Sequence, residues 1–364
     1  MTRGLLGALL AGALGAARLV ALDIGDPVPA LNGATWVKDV PAKLTGMFSV
    51  IEFWSTKGPN DSFARLSGIQ HAQRERLQVI GVSREAPEVV RTFVDDQGGE
   101  MDYHVAVIAA ADADAWLAEK EELPRVLIVD RAGLLAWRGD AADFETILDR
   151  LLAGTATTAL LARLAPLEAR IDALIDGEHA DANSAKEQAL ELTQRLLTLD
   201  PINLKAISTR LWLAQQLQRP EVAALTLNGV PVARLAAADA NALAAERLNE
   251  LDPAYRFPDL AYLLARRARD AAPGTAVYHD TFARFLHQAG LLEEAVAEQK
   301  RAVALDPADD GLVAMLEYYQ ALQNMRTHLA ADLAAAPLET PGTATPAPST
   351  PTPALAPPPA TFIP

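Results

Sequence analysis

The residues with the best claim to chemistry sit in one short stretch, Ser55-Thr56-Lys57-Gly58-Pro59-Asn60-Asp61-Ser62. It combines hydroxyls, a carboxylate and a cation with a Gly-Pro pair that turns the chain. A hydroxyl becomes a nucleophile only beside a base, and nothing in the sequence marks one here, so Ser55, Thr56 and Ser62 read as turn and cap residues. Asp61 precedes a helical stretch, whose N-terminal end it favours by roughly 0.3–1 kcal/mol. The chain contains no cysteine. That removes disulfides, thiolate nucleophiles and thiolate metal sites together.

Elsewhere the chemistry-bearing residues are scattered. The histidines, His71, His104, His179, His279, His287 and His328, include no HExxH pattern. His279-Asp280 with His287 comes nearest to a metal cluster and reads as polar decoration of a helix; no metal and no other cofactor is expected. No GxxxxGK, GxGxxG or GxSxG motif is present, so nucleotide-dependent catalysis and serine hydrolysis have no support.

The elements that must position the turn alternate between strand and helix patterns. Ser49 to Trp54 (SVIEFW), Leu77 to Val82 (LQVIGV) and Val126 to Asp130 (VLIVD) are short runs rich in β-branched residues and read as strands. Leu134 to Arg138 (LLAWR) follows a tight turn, so this last pair is expected as an antiparallel hairpin. Ser62 to Arg76 and Pro87 to Gln97 read as helices, the second stopped by Gly98-Gly99. Residues 23–154 thus form a mixed α/β domain.

From Thr155 to His328 strand signals vanish and Ala/Leu-rich helices take over. Pro273 and Pro307 lie 34 residues apart, the period of tetratricopeptide repeats. Ala261 and Ala268 recur in register as Ala295 and Ala302, small where paired helices approach closely. Phe282, Ala283 and Leu286 fit the apolar face of a first repeat helix, Gly290 its turn, and Leu291 onward the second helix. An upstream unit ends in Leu-Asp-Pro201 with Ala189 in register, and Asn241 to Leu251 reads as another first helix. Three or four degenerate repeats over 155–330 are expected, since fewer could not bury their faces. On the best first helix Asp280, Arg284 and His287 recur at i, i+4 and i+7, which places them on one face; the resemblance to tetratricopeptide repeats implies that this face lines a partner-binding groove, the alternative being a solvated face with an Asp–Arg pair.

The ends carry different compositions. Arg3 precedes an uncharged run from Gly4 to Ala17, with small residues at 15–17. This is the form of a secretory signal, expected over 1–22, and it is too short to span a bilayer. Export to the periplasm or envelope follows; a cytoplasmic location applies if the run is not a signal. Pro337 to Pro364 holds ten prolines among Ala, Thr and Ser, so 331–364 reads as a disordered tail without the apolar mass for a core. The net charge of −15 and a pI near 4.9, with no basic arm, argue against nucleic acid as a partner.

Residues 23–154 resemble the thioredoxin-like redoxins of the TlpA type. Ile24-Gly-Asp-Pro-Val-Pro is similar to their opening segment, and Glu52-Phe-Trp-Ser-Thr-Lys-Gly-Pro-Asn-Asp61 to the strand and active-site turn written FWATWCxPC. Gly81-Val-Ser-Arg, Met101 to Val107, and Leu123-Pro124 followed by Val126 to Asp130 continue the similarity in order. The resemblance implies a thioredoxin-like domain, a central mixed sheet flanked by helices, followed by an all-α tetratricopeptide-like array. It also implies a cis-proline at Leu123-Pro124 beside the active turn, where an extended peptide would pair.

The mechanism departs from the family. The two cysteines that move electrons on this scaffold are replaced by Gly58 and Asp61. Glycine has no side chain to attack a disulfide, and a carboxylate has no thiol–disulfide couple. No catalytic residue is therefore assigned. Trp54, Lys57, Gly58, Pro59, Leu123 and Pro124 are expected as a vestigial peptide-contact surface or, equally, as residues that stabilise the core and the turn. The chain reads as a redox-inactive adaptor with an unidentified protein or peptide partner. The alternatives are a thioredoxin-family oxidoreductase that works only with a partner's thiols, and a self-assembling envelope spacer.

Overall fold

The computed structural model describes residues 22–41, 43–117, 122–177, 179 and 181–335. The expected signal and the proline-rich run beyond 335 lie outside the described residues. These fall into two compact units that divide between Pro231 and Val232.

The first unit is built on a six-stranded sheet: β1 (Thr35–Lys38), β2 (Phe48–Phe53), β3 (Leu77–Ser83), β4 (His104–Val107), β5 (Arg125–Val129) and β6 (Leu135–Asp140). Their order is β1-β4-β3-β2-β5-β6. β2, β3 and β4 run parallel, while β5 is antiparallel to β2 and β6 to β5. Helices α1 (Phe63–Gln73), α2 (Pro87–Gln97), the single turn α3 (Ala110–Ala113) and α4 (Phe144–Ala153) complete the layers. This is the thioredoxin-like arrangement: a parallel βαβ unit, an antiparallel hairpin and a closing helix around β2.

Every residue of β2 and β3 is buried, as parallel strands must be when both sheet faces are covered. Val50 and Trp54 point to one face, where Phe63 and Leu66 of α1, Val90 and Val94 of α2, and Phe144 of α4 pack over them. Ile51 and Phe53 point to the other, against Leu31, Trp116 and Leu117. Pro87 opens α2 and Gly98, at φ +57°, closes it, as the sequence pattern requires. Two short strands, β1 and β4, and α3 go beyond the elements expected from the sequence. At four residues each, they give too few alternations to register as a period.

Four helices of the first unit follow the sheet: α5 (Thr158–Asp176), α6 (Ala182–Leu199), α7 (Leu204–Gln216) and α8 (Pro220–Asn228). Thr157, Asp181 and Asn203 cap α5, α6 and α7, each accepting from a backbone N–H at 2.9–3.1 Å. These helices do not separate from the sheet at residue 154. Leu161, Leu164 and Ala189 share one apolar cluster with Val50, Val79 and Phe144. Thr158 Oγ1 donates to Asp130 Oδ2 at 2.5 Å, and Arg150 of α4 pairs with Asp200 beyond α6 at 2.6 Å, both side chains buried.

The second unit holds α9 (Ala237–Asn249), α10 (Pro258–Ala271), α11 (Ala276–Gln288), α12 (Leu292–Leu305) and α13 (Asp310–Ala335). Ala261, Ala268, Ala295 and Ala302, the recurring small residues, are all 0–1 % exposed, and Phe282, Ala283 and Leu286 are buried as expected. Gly290 takes φ +82° in the turn between α11 and α12, a conformation that glycine adopts without a Cβ clash. The first residues of the expected tail, 331–335, are helical, and the rest of it lies outside the described residues. The Ala-rich segment 331–335 is the end of α13, in keeping with alanine's helix propensity. No helix among the described residues is long and apolar enough to cross a membrane.

Candidate functional site

The turn between β2 and α1 is held from its flanks. Trp54 N donates to Val82 O at 3.0 Å, and Gly58 N donates to Ser55 O at 3.1 Å. Glu85, just past β3, clamps the turn with both carboxylate oxygens: Thr56 N donates to Oε2 at 2.7 Å and Thr56 Oγ1 to Oε1 at 2.9 Å. No local pattern announces this contact, which spans 29 residues. Gly58 is half-buried and takes no left-handed φ. A Cβ built on it meets nothing closer than 3.4 Å, at Ser55 O and Oγ.

Beside the turn, the cis Leu123–Pro124 peptide forms the opposite wall of a cleft of about 290 Å³. Of the residues expected at a peptide-contact surface, Pro59, Leu123 and Pro124 line it. The remaining lining comes from Asp61, Ser62 and Arg65 on one side, Glu122 on the other, and Asp140, Ala141 and Ala142 past β6. Three chain segments converge here, and no single stretch of sequence announces their meeting. Lys57 is exposed, and neither it nor Gly58 is among the lining residues. Trp54 is a correction to the expected contact surface. It is 1 % exposed, its ring edge-on to Phe63 at 5.3 Å and tilted against Phe93 at 5.4 Å. It belongs to the core.

Ser62 and Asp61 also differ from expectation. Ser62 is the N-cap of α1, but its side chain accepts no cap hydrogen bond. Its Oγ instead donates to Glu52 Oε1 at 2.5 Å. Asp61 is exposed and precedes the cap, so the first turn of α1 holds no acidic residue.

Glu52 is the ionisable group that the residue pattern left unnoticed as chemistry. Its signal was a lone carboxylate inside a strand whose other residues are apolar except Ser49, and the strand is wholly buried. Burial pushes its carboxyl up to about 7, against the opposing effects of the Ser62 hydrogen bond and the Arg65 charge. Burial, and then the charge of Glu52, raises the Tyr103 hydroxyl. Among the described residues Glu52 Oε2, Trp54 Nε1 and Tyr103 Oη have no hydrogen-bond partner. Gly81 pairs with Glu52 in the β2–β3 register. A Cβ there would lie 2.8 Å from Trp54 Nε1 and 3.0 Å from Tyr103 Cε2, so this site requires glycine for close packing.

Chemically, Ser62 and Glu52 form a hydroxyl–carboxylate pair, yet Ser62 is only 3 % exposed. A hydroxyl so enclosed is withheld from any substrate in the cleft and serves the packing beneath the turn. What the cleft offers a ligand is shape, apolar rims and carboxylates.

In the second unit, the expected groove residues face neighbouring helices. Arg284 donates to Asn249 Oδ1 of α9 at 2.7 Å, and His287 lies 4.9 Å from the Tyr319 ring of α13. Burial raises the Asp280 carboxyl, which sits beside Gln299 and Arg284. His279 is committed to Glu298 Oε2 at 2.7 Å and to the Pro273 carbonyl at 2.9 Å. Among the described residues no cluster of three or more His, Asp or Glu side chains could hold a metal ion.

No protein-family model matches the sequence, and no curated protein matches it. Solved structures similar to it include a thiol-disulfide isomerase from Corynebacterium glutamicum, 22 % identical, matching 38 % of this chain and 96 % of that one with a TM-score of 0.27. The thioredoxin domain of a thiol-disulfide oxidoreductase from Bacteroides vulgatus is 14 % identical over 36 % of this chain and 99 % of its own, with a TM-score of 0.30. Mycobacterium tuberculosis AhpC is 15 % identical over 38 % and 98 %, with a TM-score of 0.31. The fold itself is read from the strand order and register: the first unit carries a thioredoxin-like domain, and the chain that forms it has no cysteine.

Proposed function

We propose that this protein is a redox-inactive member of the thioredoxin-like group, of the TlpA type, that binds protein or peptide segments in the bacterial envelope. The observation that carries the reading is the cleft beside the turn. Its walls are Pro59 on one side and Leu123-Pro124 on the other, and by the sequence resemblance Gly58 and Asp61 take the places of the family's thiols. An extended segment can lie in such a cleft through backbone and small apolar contacts without any electron transfer. Export is supported by Arg3 and the uncharged run from Gly4 to Ala17. The helix pairs α9/α10 and α11/α12 act in the proposal as tetratricopeptide-like repeats, supported by the 34-residue spacing of Pro273 and Pro307 and by the buried alanines in register.

The test pairs an activity with a binding measurement on the full chain. Purified protein is expected to show no insulin reduction with dithiothreitol above the buffer rate and no thiol-driven peroxide consumption. A short, extended, fluorescein-labelled peptide is expected to bind, and Ala142→Trp, which fills the cleft from an exposed position, to abolish that binding. Insulin turnover by the unmodified chain, or peptide binding indifferent to the tryptophan, overturns the reading.

A further inference from the structure

We infer that the cleft selects for basic segments: its occupant is an extended stretch of another protein that carries lysine or arginine beside small or apolar residues. The inference rests on the reading of the cleft as a peptide site and adds the chemistry of the peptide. The rims supply the apolar part through Pro59, Leu123, Pro124 and the two alanines at 141–142. The charged part depends on which ionic groups around the cleft are already spoken for.

Arg65 is the one cation that lines the cleft among the described residues, and it is fully engaged. Its Nε lies 2.9 Å from Glu145 Oε1, it donates to the Ala141 carbonyl, and its guanidinium sits 5.6 Å from the Phe144 ring centre. Asp140 is likewise taken, at 2.8 Å from Arg125. That leaves Asp61 on the turn side and Glu122 on the opposite wall, both exposed and neither in an ion pair among the described residues. A third carboxyl stands behind Ser62, where Glu52 Oε2 is buried with no partner.

A neutral or acidic segment entering this cleft would strip water from Asp61 and Glu122 without replacing it by a counter-charge, which is costly. A lysine or arginine on the segment supplies that counter-charge and donates hydrogen bonds as well. The chain's net charge of −15 adds attraction at long range. Bulk attraction and local pairing are separable by experiment, because one belongs to the whole surface and the other to two side chains.

The experiment uses the full chain and short fluorescein-labelled peptides on one alternating Val/Thr scaffold, with Lys, Gln or Glu at the same interspersed positions. Binding is read by fluorescence anisotropy between about 0.05 and about 0.5 M NaCl. The Lys peptide is expected to bind roughly tenfold more tightly than the Gln peptide, as two exposed ion pairs provide, with the Glu peptide weakest. Asp61→Asn with Glu122→Gln is expected to bring the Lys peptide down to the level of the Gln peptide. Asp95→Asn with Asp96→Asn, which removes the same charge from the exposed surface of α2, is expected to leave the preference intact. Equal binding of all three peptides overturns the charge inference and leaves the peptide-site reading standing. A Lys preference that survives the cleft variant but falls in the α2 variant assigns the effect to bulk charge and overturns it too. Binding of none of the peptides removes the underlying reading, and the inference with it.

Discussion

Asp200→Ala tests whether the sheet and the first helices after it are one folding unit. Arg150 reaches Asp200 at 2.6 Å, with side chains 7 % and 3 % exposed. Asp200 N still bonds the Leu196 carbonyl, so removing the side chain spares the backbone cap of α6 and isolates the charge pair. Breaking such a buried pair leaves a guanidinium without water or counter-charge, at a cost of about 3–5 kcal/mol. Arg150 Nε already has no hydrogen-bond partner, which leaves the arginine no second anchor at that nitrogen. At a urea m-value of about 2 kcal/mol/M, the unfolding midpoint should fall by roughly 1.5–2.5 M.

Tryptophan fluorescence reports this transition selectively, because all five tryptophans of the chain (Trp36, Trp54, Trp116, Trp137 and Trp212) precede Val232. Trp212 lies on α7 and the other four in the sheet domain. Recording the variant with and without Trp212→Phe therefore reads the two parts separately, and both should move together. Replacing the pair by apolar residues, Arg150→Met with Asp200→Leu, should recover most of the loss, since a packed apolar pair avoids desolvating two charges. A single-variant loss below about 1 kcal/mol, or a shift seen by Trp212 but not by the other four, refutes the claim that the pair joins α4 to α6 within one cooperative unit.

Three further outcomes follow from the site and one from the second unit. Burial holds the Glu52 carboxyl up at about 7 in the folded state against 4.5 for an ordinary glutamate, so the folded state binds more protons between those values and stability should fall as pH rises through them, by about 3 kcal/mol, then level off. Urea midpoints at acid and alkaline pH check this; Glu52→Gln should flatten the dependence, and an unchanged slope in that variant removes Glu52 as its source. Gly81→Ala should lose about 1–3 kcal/mol through overpacking against Trp54 and Tyr103, with altered near-UV circular dichroism, and a neutral effect contradicts the close approach. Gly58→Cys with Asp61→Cys should acquire insulin reductase activity, because a Cβ at Gly58 has ordinary contacts; a folded double variant with no turnover shows that more than the thiols is missing. In the second unit, Glu298→Ala should lower the far-UV thermal midpoint, since it strips the common acceptor from Arg269, His279 and Arg301; an unchanged midpoint denies that role.

The fold was legible where burial imposes a period and where punctuation is chemical. The mostly apolar, β-branched runs of β2, β3 and β5, Pro87 and Gly98 at the ends of α2, and Gly290 between α11 and α12 all spoke through residue type. The expected boundary after 154 was not legible, because the contacts that join α5 and α6 to the sheet are side-chain pairs between distant segments. Thr158 with Asp130 and Arg150 with Asp200 look like ordinary surface polar residues until they meet. The site divided in the same way. Pro59, Leu123 and Pro124 were read from a local pattern, and they line the cleft. Trp54 was read as surface because it adjoins the turn, although strand alternation with Val50 already aims it at the core. Glu122, Asp140 and Arg65 come from separated segments and had no shared signal.

The separation of side-chain chemistry from backbone shape explains how this scaffold tolerates the absence of thiols. The turn is held by Glu85 on Thr56, by the Ser55 carbonyl on Gly58, and by Trp54 packed between Phe63 and Phe93. None of these contacts involves a side chain at 58 or 61. Beneath it, Ser62 and Glu52 join α1 to β2 through a hydrogen bond that needs no sulfur. In the proposed reading, glycine and aspartate in the places of two cysteines remove electron transfer while the cleft walls stay where they are, and Asp61 adds a carboxylate to the lining. On that proposal a surface that keeps its shape and carries a carboxylate at the turn serves recognition independently of redox chemistry, and the charge of a test peptide discriminates more sharply among readings than its sequence.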